Sequence, residues 1–367
     1  MRASAKTGAQ QPVLLTAPAT GEVRPGPAGR PRRATLVVRL QRQARRSAMW
    51  IVLVDLVAIG TFAAINVAFV SRVNLTNLAL SGTEVVLLSV AEALLLAAGE
   101  FDISLGANLV LSSVVGSQLL VNLSGTAKQV QASTYPHIVL GTAVGIVACL
   151  LTGVAVGGFN GFVVTKMRVN SLITTLATFG IATGIAEILT NGANVAYMPN
   201  NVQLDFGIKD IAGSVPLPTI VVLVAVAVTW WALAKTRFGL HALALGSSRE
   251  ACERAGIRVH RQLIWLFVLA GFFAGLAGLI DASRFATTDV GGHQTDALAA
   301  IAGAVIGGTA LYGGQGSVGG AVAGAMLSVI LASGLVIAGL SPFYQYIAIG
   351  AVLIIAVFLD QRRRSAA

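Results

Sequence analysis

The sequence predicts an all-α fold, a polytopic transmembrane helical bundle of about ten spans, and three observations lead there. Hydrophobic residues make up 55% of the 367 positions and charged ones only 11%, against about 25% charged in an ordinary soluble domain. So little charge cannot cover a water-facing surface, so the apolar surface has to meet lipid. Apolar runs of the length needed to cross roughly 30 Å of hydrocarbon, about 20 residues each, recur along the chain. Basic residues gather in alternate loops between those runs.

The runs lie near 49–70, 83–99, 104–122, 137–159, 171–190, 217–235, 263–283, 297–312, 318–339 and 342–359. The run at 297–312 is short and Gly-rich and reads as a broken or re-entrant segment, which a bilayer tolerates only where the backbone is buried in protein or lines water. Placing the N-terminus inside puts 21 of the 25 Lys and Arg on the inner side, leaving Arg72, Lys128, Lys209 and Arg284 outside. The expected topology is therefore N-in and C-in. Trp50, Trp230, Trp231, Trp265, Phe343 and Tyr344 fall near predicted span ends, where interfacial anchors belong. Three parts follow: a basic cytoplasmic arm at 1–47, a membrane domain at 48–360 with an inner loop at 235–262, and a basic tail at 361–367.

The arm holds ten of the Lys and Arg, among them Arg30, Arg32, Arg33, Arg39, Arg42, Arg45 and Arg46, and a single acid, Glu22. Its first part, rich in Pro, Gly, Ala and Thr, reads as disordered. Residues 35–47 fit a short basic helix on the membrane surface, with Leu36, Val37 and Leu40 toward lipid. Nucleic-acid binding is the other reading of such an arm, but a basic flank beside a first span is the common case, and no nucleic acid is expected as a partner. The arm is too long for a cleaved leader, and the apolar run after it is long enough to span. Cys149 lies in an apolar run and Cys252 in a charged one, so a disulfide is not expected. His137, His241, His260 and His293 are scattered without metal-ligand spacing, so no metal site is expected.

The inner loop 235–262 is the longest polar stretch between runs. Within it Ala251, Cys252, Ala255 and Ile257 form one helical face, and Arg249, Glu250, Glu253 and Arg254 the other. Glu250 and Arg254 stand in the favourable i,i+4 order. Ser247 or Ser248 can cap this helix and Gly256 can end it. A short amphipathic helix at the inner surface can dock in a groove of a cytoplasmic protein or simply stiffen the loop. Two outer loops stand out: 191–216, polar with Asn191, Asn194, Asn200, Asn201, Asp205 and Asp210, and 284–296, with Asp289, His293 and Asp296. Each reads as a partner surface or as a solvated connector.

A faint internal echo pairs Ser104-Leu105-Gly106-Ala107 with Ser317-Val318-Gly319-Gly320, each opening an apolar helix after a break. Paired interrupted segments point to a transport pathway; chance similarity of small residues is the alternative. Several acids fall inside runs. Asp55 and Glu187 sit near run ends, whereas Glu92 is central and is a candidate proton or ion group. Gly-xxx-Gly pairs such as Gly180/Gly184, Gly271/Gly275 and Gly303/Gly307 suit close helix packing. The Gly-rich run at 313–320 lacks the Gly-Lys-Ser/Thr ending of a phosphate loop. Energy must therefore come from another chain or from an ion gradient.

Four motifs carry a resemblance. Thr236-Arg237-Phe238-Gly239, Ala244-Leu245-Gly246, Ala251-Cys252 and Gly256-Ile257 resemble the cytoplasmic coupling segment of permeases of the ribose/xylose-type ABC importers, a family close to the branched-chain amino acid permeases. The segment departs from that pattern at Ser248 and Cys252. Gly99-Glu100-Phe101-Asp102-Ile103-Ser104-Leu105-Gly106 is similar to the family's Gly-Gly-Ile-Asp-Leu-Ser-Val-Gly signature, with Glu100 and Phe101 departing. Gly158-Phe159-Asn160-Gly161 followed by Val169-Asn170-Ser171-Leu172-Ile173-Thr174-Thr175-Leu176, and Gly313-Gly314-Gln315-Gly316-Ser317-Val318-Gly319-Gly320, complete the set. The matches cover about residues 80 to 360, and the arm has no counterpart.

The resemblance implies a permease subunit of the bacterial inner membrane, not an enzyme, that binds no cofactor itself. It would import a small polar solute, a monosaccharide first, while ATP is consumed on a partner ATPase subunit. Other implied partners are an extracytoplasmic solute-binding protein, a second permease copy and the lipid bilayer. Arg237, Gly239, Gly246, Glu250, Ala251, Arg254 and Gly256 would couple to the ATPase. Gly99, Asp102, Ser104, Gly106, Asn160, Gly161, Gly316 and Ser317 would form helix breaks or the path. Asp102 and Ser104 each suit capping of the next helix as well as a place in the path. The rival is a proton-coupled secondary transporter using Glu92 and Asp102.

Overall fold

The structure, a computed structural model, describes residues 32–211, 215–341 and part of 343–358. Most of the arm, the basic tail and part of the run at 342–359 lie outside the described residues. Contacts divide the chain into Met1–Arg39 and Leu40–Ala367, and apart from the first residues of the opening helix everything that follows belongs to the second unit.

The order is helical almost throughout. Helix α1 (Arg32–Ile65) leads through a tight turn to α2 (Arg72–Ala97), which Ser71 caps by accepting from the Asn74 amide. After a break come α3 (Leu105–Ser124), the short α4 (Ala127–Gln131), α5 (Ile138–Lys166) and α6 (Ser171–Thr190). The polar segment after α6 holds a single turn, α7 (Asn200–Val202), and a minimal antiparallel pair, β1 (Asp210–Ile211) with β2 (Val215–Pro216). Then follow α8 (Leu217–Lys235), α9 (Arg237–Ser247), α10 (Arg249–Arg254), α11 (Val259–Phe285), α12 (Asp296–Ile306) and α13 (Val318–Ile337).

Seven helices among the described residues, α2, α3, α5, α6, α8, α11 and α13, are long and apolar enough to cross a bilayer. The expected run at 49–70 is α-helical over Met49–Ile65 with a 3-10 turn at Val67–Val70, and the run at 297–312 is helical over Asp296–Ile306. At roughly 1.5 Å per residue, the 11-residue α12 covers about half the hydrocarbon, as a broken segment would.

Helix α2 is the central post. It is apolar all round and buried on nearly every face, the property of a helix enclosed by others. Helices α8, α11, α12 and α13 surround it. Small residues set the closest crossings. A Cβ on Gly153 would lie 2.3 Å from the Gly271 carbonyl, and one on Gly157 would lie 2.2 Å from that of Phe267, so α5 and α11 touch backbone to backbone. Gly303 and Gly307 of α12 meet α13 in the same way, at Ala325 and Gly320. The Gly180/Gly184 pair behaves differently: among the described residues nothing lies within 4 Å of a Cβ added to either, so neither marks a close helix crossing there.

Candidate functional site

The break between α2 and α3 sits inside the protein, with Asp102 and Ser104 buried. Gly99 ends α2 at φ +80°, a conformation that L side chains rarely adopt. Four successive amides then need acceptors away from water, and each finds a side chain. Phe101 N–H donates to Ser171 Oγ (3.4 Å), Asp102 N–H to Glu92 Oε1 (3.4 Å), Ile103 N–H to Thr175 Oγ1 (3.2 Å) and Ser104 N–H to Asp102 Oδ1 (2.9 Å). The Asp102 carboxylate also accepts from the Ser104 hydroxyl and, at 3.3 Å, from Asn160 Nδ2 of α5. Asn160 donates to Ser104 Oγ (2.9 Å) and accepts from Thr178 Oγ1 of α6 (2.7 Å). The start of α3 is thus tied to α2, α5 and α6 through one buried polar network. Of the two capping candidates, Asp102 takes an amide at the helix start, while the Ser104 side chain makes no cap.

The break between α12 and α13 is built differently. Gly313 (φ +91°) and Gly314 (φ +81°) turn the chain, and Gly314 N–H donates to the Ala97 carbonyl at the end of α2 (2.9 Å). Gly316 presses on the Ala97 side chain, and Ser317 caps α13 by accepting from the Gly320 amide (3.0 Å).

Helices α9 and α10 rest on both breaks. A Cβ on Gly246 would come within 2.1 Å of the Ala97 carbonyl and 2.3 Å of the Gly314 amide, so α9 lies directly on the end of α2 and on the Gly-rich turn. Arg249 pairs with Glu100 of the first break, a contact between a half-exposed guanidinium and a buried carboxylate. Ser248 caps α10 by accepting from the Ala251 amide (3.2 Å), Cys252 is buried, and Gly256 (φ +77°) follows the last turn. Arg237, Glu250, Ala251 and Arg254 are exposed, with Glu250 and Arg254 paired at 3.3 Å. Beside them opens a surface cavity of about 580 Å3 lined by Lys166, Glu253, Gly256, Arg258, Arg261 and Trp265, among others.

A profile of the family described as the branched-chain amino acid transport system / permease component matches residues 74–357. The chain belongs to that permease family. It is similar to the L-arabinose ABC transporter permease protein AraH of Azospirillum brasilense, at 34% identity over 86% of this chain and 88% of that one. It is also similar to the ribose import permease RbsC of Escherichia coli K12 (30%, covering 84% and 92%). The galactose/methyl galactoside import permease MglC of the same strain matches likewise (31%, covering 86% and 94%). No solved structure matches. The chain is a multi-pass permease of the inner membrane, a transport subunit and not an enzyme.

The permease gathers Gly99, Asp102, Ser104 and Asn160 around the first break and Gly316 and Ser317 around the second. Gly161 stands apart, packing α5 against Ile264 and Phe267 of α11. Gly106 is covered by the loop before α12, where its Cβ would meet the His293 carbonyl at 2.3 Å. Glu92 is fully buried and joins the network through Oε1 while Oε2 has no partner. Asp55, expected near a run end, is buried with Oδ1 unpartnered, whereas Glu187 is exposed. Gly239, read as a coupling residue, is buried against the Leu233 backbone, where an added Cβ would lie 2.1 Å from the Leu233 carbonyl, so its nearest role is packing.

Sequence reasoning missed the Glu100–Arg249 pair and the hydroxyl stripe of α6. Ser171, Thr175 and Thr178 recur at i, i+4 and i+7 in an otherwise apolar helix, a signal that was available. The loop 284–296 also departs from its reading as a connector or partner surface, since His293 turns into the bundle and leaves only 12% of its side chain exposed. Both cysteines are free thiols, and Cys149 donates to the Gly275 carbonyl at 3.2 Å.

Proposed function

We propose that this permease forms the translocation path of an ATP-binding-cassette importer for a monosaccharide. The observation that carries the reading is the placement of α9 and α10, which touch both helix breaks while turning Arg237, Glu250, Ala251 and Arg254 outward. A push on that outer face reaches the end of α2 and the backbone of both breaks without an intermediary. The ATPase subunit docks there, and ATP binding supplies the differential affinity that shifts the permease between inward and outward states. The arabinose, ribose and galactose permeases among its relatives support a sugar as the solute.

In this reading about ten spans run N-in and C-in, the arrangement that puts most of the Lys and Arg inside. An extracytoplasmic binding protein delivers the sugar, a second permease copy completes the path, and no cofactor binds this chain. The buried network around Asp102 and Asn160 sets how the first break opens. The test is uptake into vesicles holding the permease with its ATPase and binding protein, offered labelled L-arabinose, D-ribose and D-galactose. ATP-dependent accumulation of one of these is expected. Accumulation by the permease alone, collapsing with a protonophore and surviving ATP depletion, would instead select proton coupling through Glu92 and Asp102.

A further inference from the structure

Where the loop 286–295 dips into the bundle, five ionisable side chains meet that the transport reading does not use. They are Glu84 of α2, Asp281 and Arg284 of α11, His293 of the loop, and Asp296 at the start of α12. His293 Nδ1 lies 2.7 Å from Asp296 Oδ2. An ionised carboxylate only accepts, so Nδ1 carries the proton and donates, and in the neutral ring Nε2 keeps the lone pair that a metal ion would use. Nε2 faces Asp281 Oδ1 at 3.4 Å. One nitrogen or oxygen from each of Glu84, Asp281 and His293 lies within 4.8 Å of the others.

The second observation is what these atoms lack. Asp281 is 1% exposed, and neither of its carboxylate oxygens has a hydrogen-bond partner. Glu84 Oε1 is equally buried and unpartnered, with Arg284 Nη1 standing off at 3.7 Å while Nη2 donates to Ser81 Oγ at 3.0 Å. Buried acceptors with no donor are rare in folded proteins and call for an explanation. Charge gives the same answer. Three carboxylates face one guanidinium here, an acidic excess that favours a cation at the imidazole, either a proton on His293 or a metal ion.

We propose that Glu84, Asp281 and His293 bind a divalent transition-metal ion of the zinc class, with Asp296 orienting the imidazole. One imidazole with two carboxylates suits such an ion; calcium and magnesium favour all-oxygen sets. A carboxylate on the far ring nitrogen is the usual support of a metal-bound histidine. The ion fastens the loop to α2 and α11 next to the point where α3 begins, because the His293 carbonyl also covers Gly106. The proposal is independent of which solute the permease carries.

The test uses the full-length permease, purified through a tag without histidines, stripped with EDTA and held in lipid nanodiscs. Titration with Zn2+, followed by calorimetry and by displacement of the visible bands of bound Co2+, is expected to give one site per chain. Asp281→Asn and His293→Gln each abolish it, and Asp296→Asn weakens it about 10–100-fold. Asp289→Asn, an exposed neighbour in the same loop, binds like the parent. Zn2+ raises the melting temperature of the parent and of Asp289→Asn, and leaves His293→Gln unmoved. A parent that takes up no stoichiometric Zn2+ overturns the proposal, as does binding that survives either ligand substitution. Should Asp281→Asn fail to fold, His293→Gln decides alone. If neither is recovered folded, the parent's Co2+ spectrum decides: bands of an imidazole-bound ion uphold the site, and their absence ends it.

Discussion

The backbone between α2 and α3 and the backbone between α12 and α13 both leave the helix inside the bundle, yet different groups hold them. In the first break, the amides of Phe101, Asp102, Ile103 and Ser104 each go to a side-chain oxygen from α2, α6 or the break itself. In the second, Gly308, Thr309, Ala310, Gly313 and Gly314 donate to backbone carbonyls, four of them within the segment itself, and the glycines bring Gly314 close enough for Ala97 of α2 to accept. The obligation is the same for both, because an unpaired amide in lipid is costly. The difference teaches that the first break depends on chemistry that can be edited one hydrogen bond at a time. The second depends on shape, where any added atom is felt.

The largest expected effect therefore belongs to the glycine contact. Gly246→Val places a side chain against the Ala97 carbonyl and the Gly314 amide, and neither backbone can yield. A loss of about 3 kcal/mol or more is expected from such overpacking, read as loss of a monodisperse peak when the detergent extract is run on size exclusion. A Gly246→Val permease that is well folded and imports normally would mean the two breaks do not differ in this way.

Next comes the polar network. Asn160→Leu removes the amide that donates to Asp102 and Ser104 and the oxygen that accepts from Thr178. It should cost about 1–3 kcal/mol, lowering the melting temperature while the protein still inserts. A melting temperature equal to the parent's would show that the network contributes no net stability. Arg249→Gln should cost less, about 1–2 kcal/mol, because the guanidinium it removes is half exposed although the Glu100 left behind is buried. Adding Glu100→Gln should recover part of that loss in a double-mutant cycle. Strict additivity of the two would exclude a working pair.

The smallest effect on stability belongs to the exposed pair. Glu250→Ala and Arg254→Ala should each shift stability by about 0.5 kcal/mol or less. Under the docking reading, ATP-driven uptake should fall while the melting temperature stays put. Uptake unchanged in the double variant would remove this face from the coupling surface.

Local features were legible from the residues alone. The Ser248 cap, the Gly256 stop and the Glu250/Arg254 pair of α10 each involve residues within a few positions of one another, so backbone chemistry decides them. The helix breaks at Gly99–Ser104 and Gly313–Ser317 were legible for the same reason: a polar or Gly-rich stretch cannot continue a lipid-facing helix. The packing partners of the glycines were not. Gly271 and Gly180 both belong to Gly-xxx-Gly pairs, but among the described residues only the first closely meets another helix.

By itself the sequence determined that the protein lives in lipid, where its helices lie and where they must break, because hydropathy and turn chemistry act over short stretches. Tertiary structure decided what the breaks lean on. Arg249 reaches Glu100 across 149 positions and Arg284 reaches Ser81 across 203. His293, with no metal-ligand spacing in the chain, ends beside Glu84 and Asp281. No periodicity encodes such meetings. They follow from how the helices pack around α2, which is fixed only when all of them are in place.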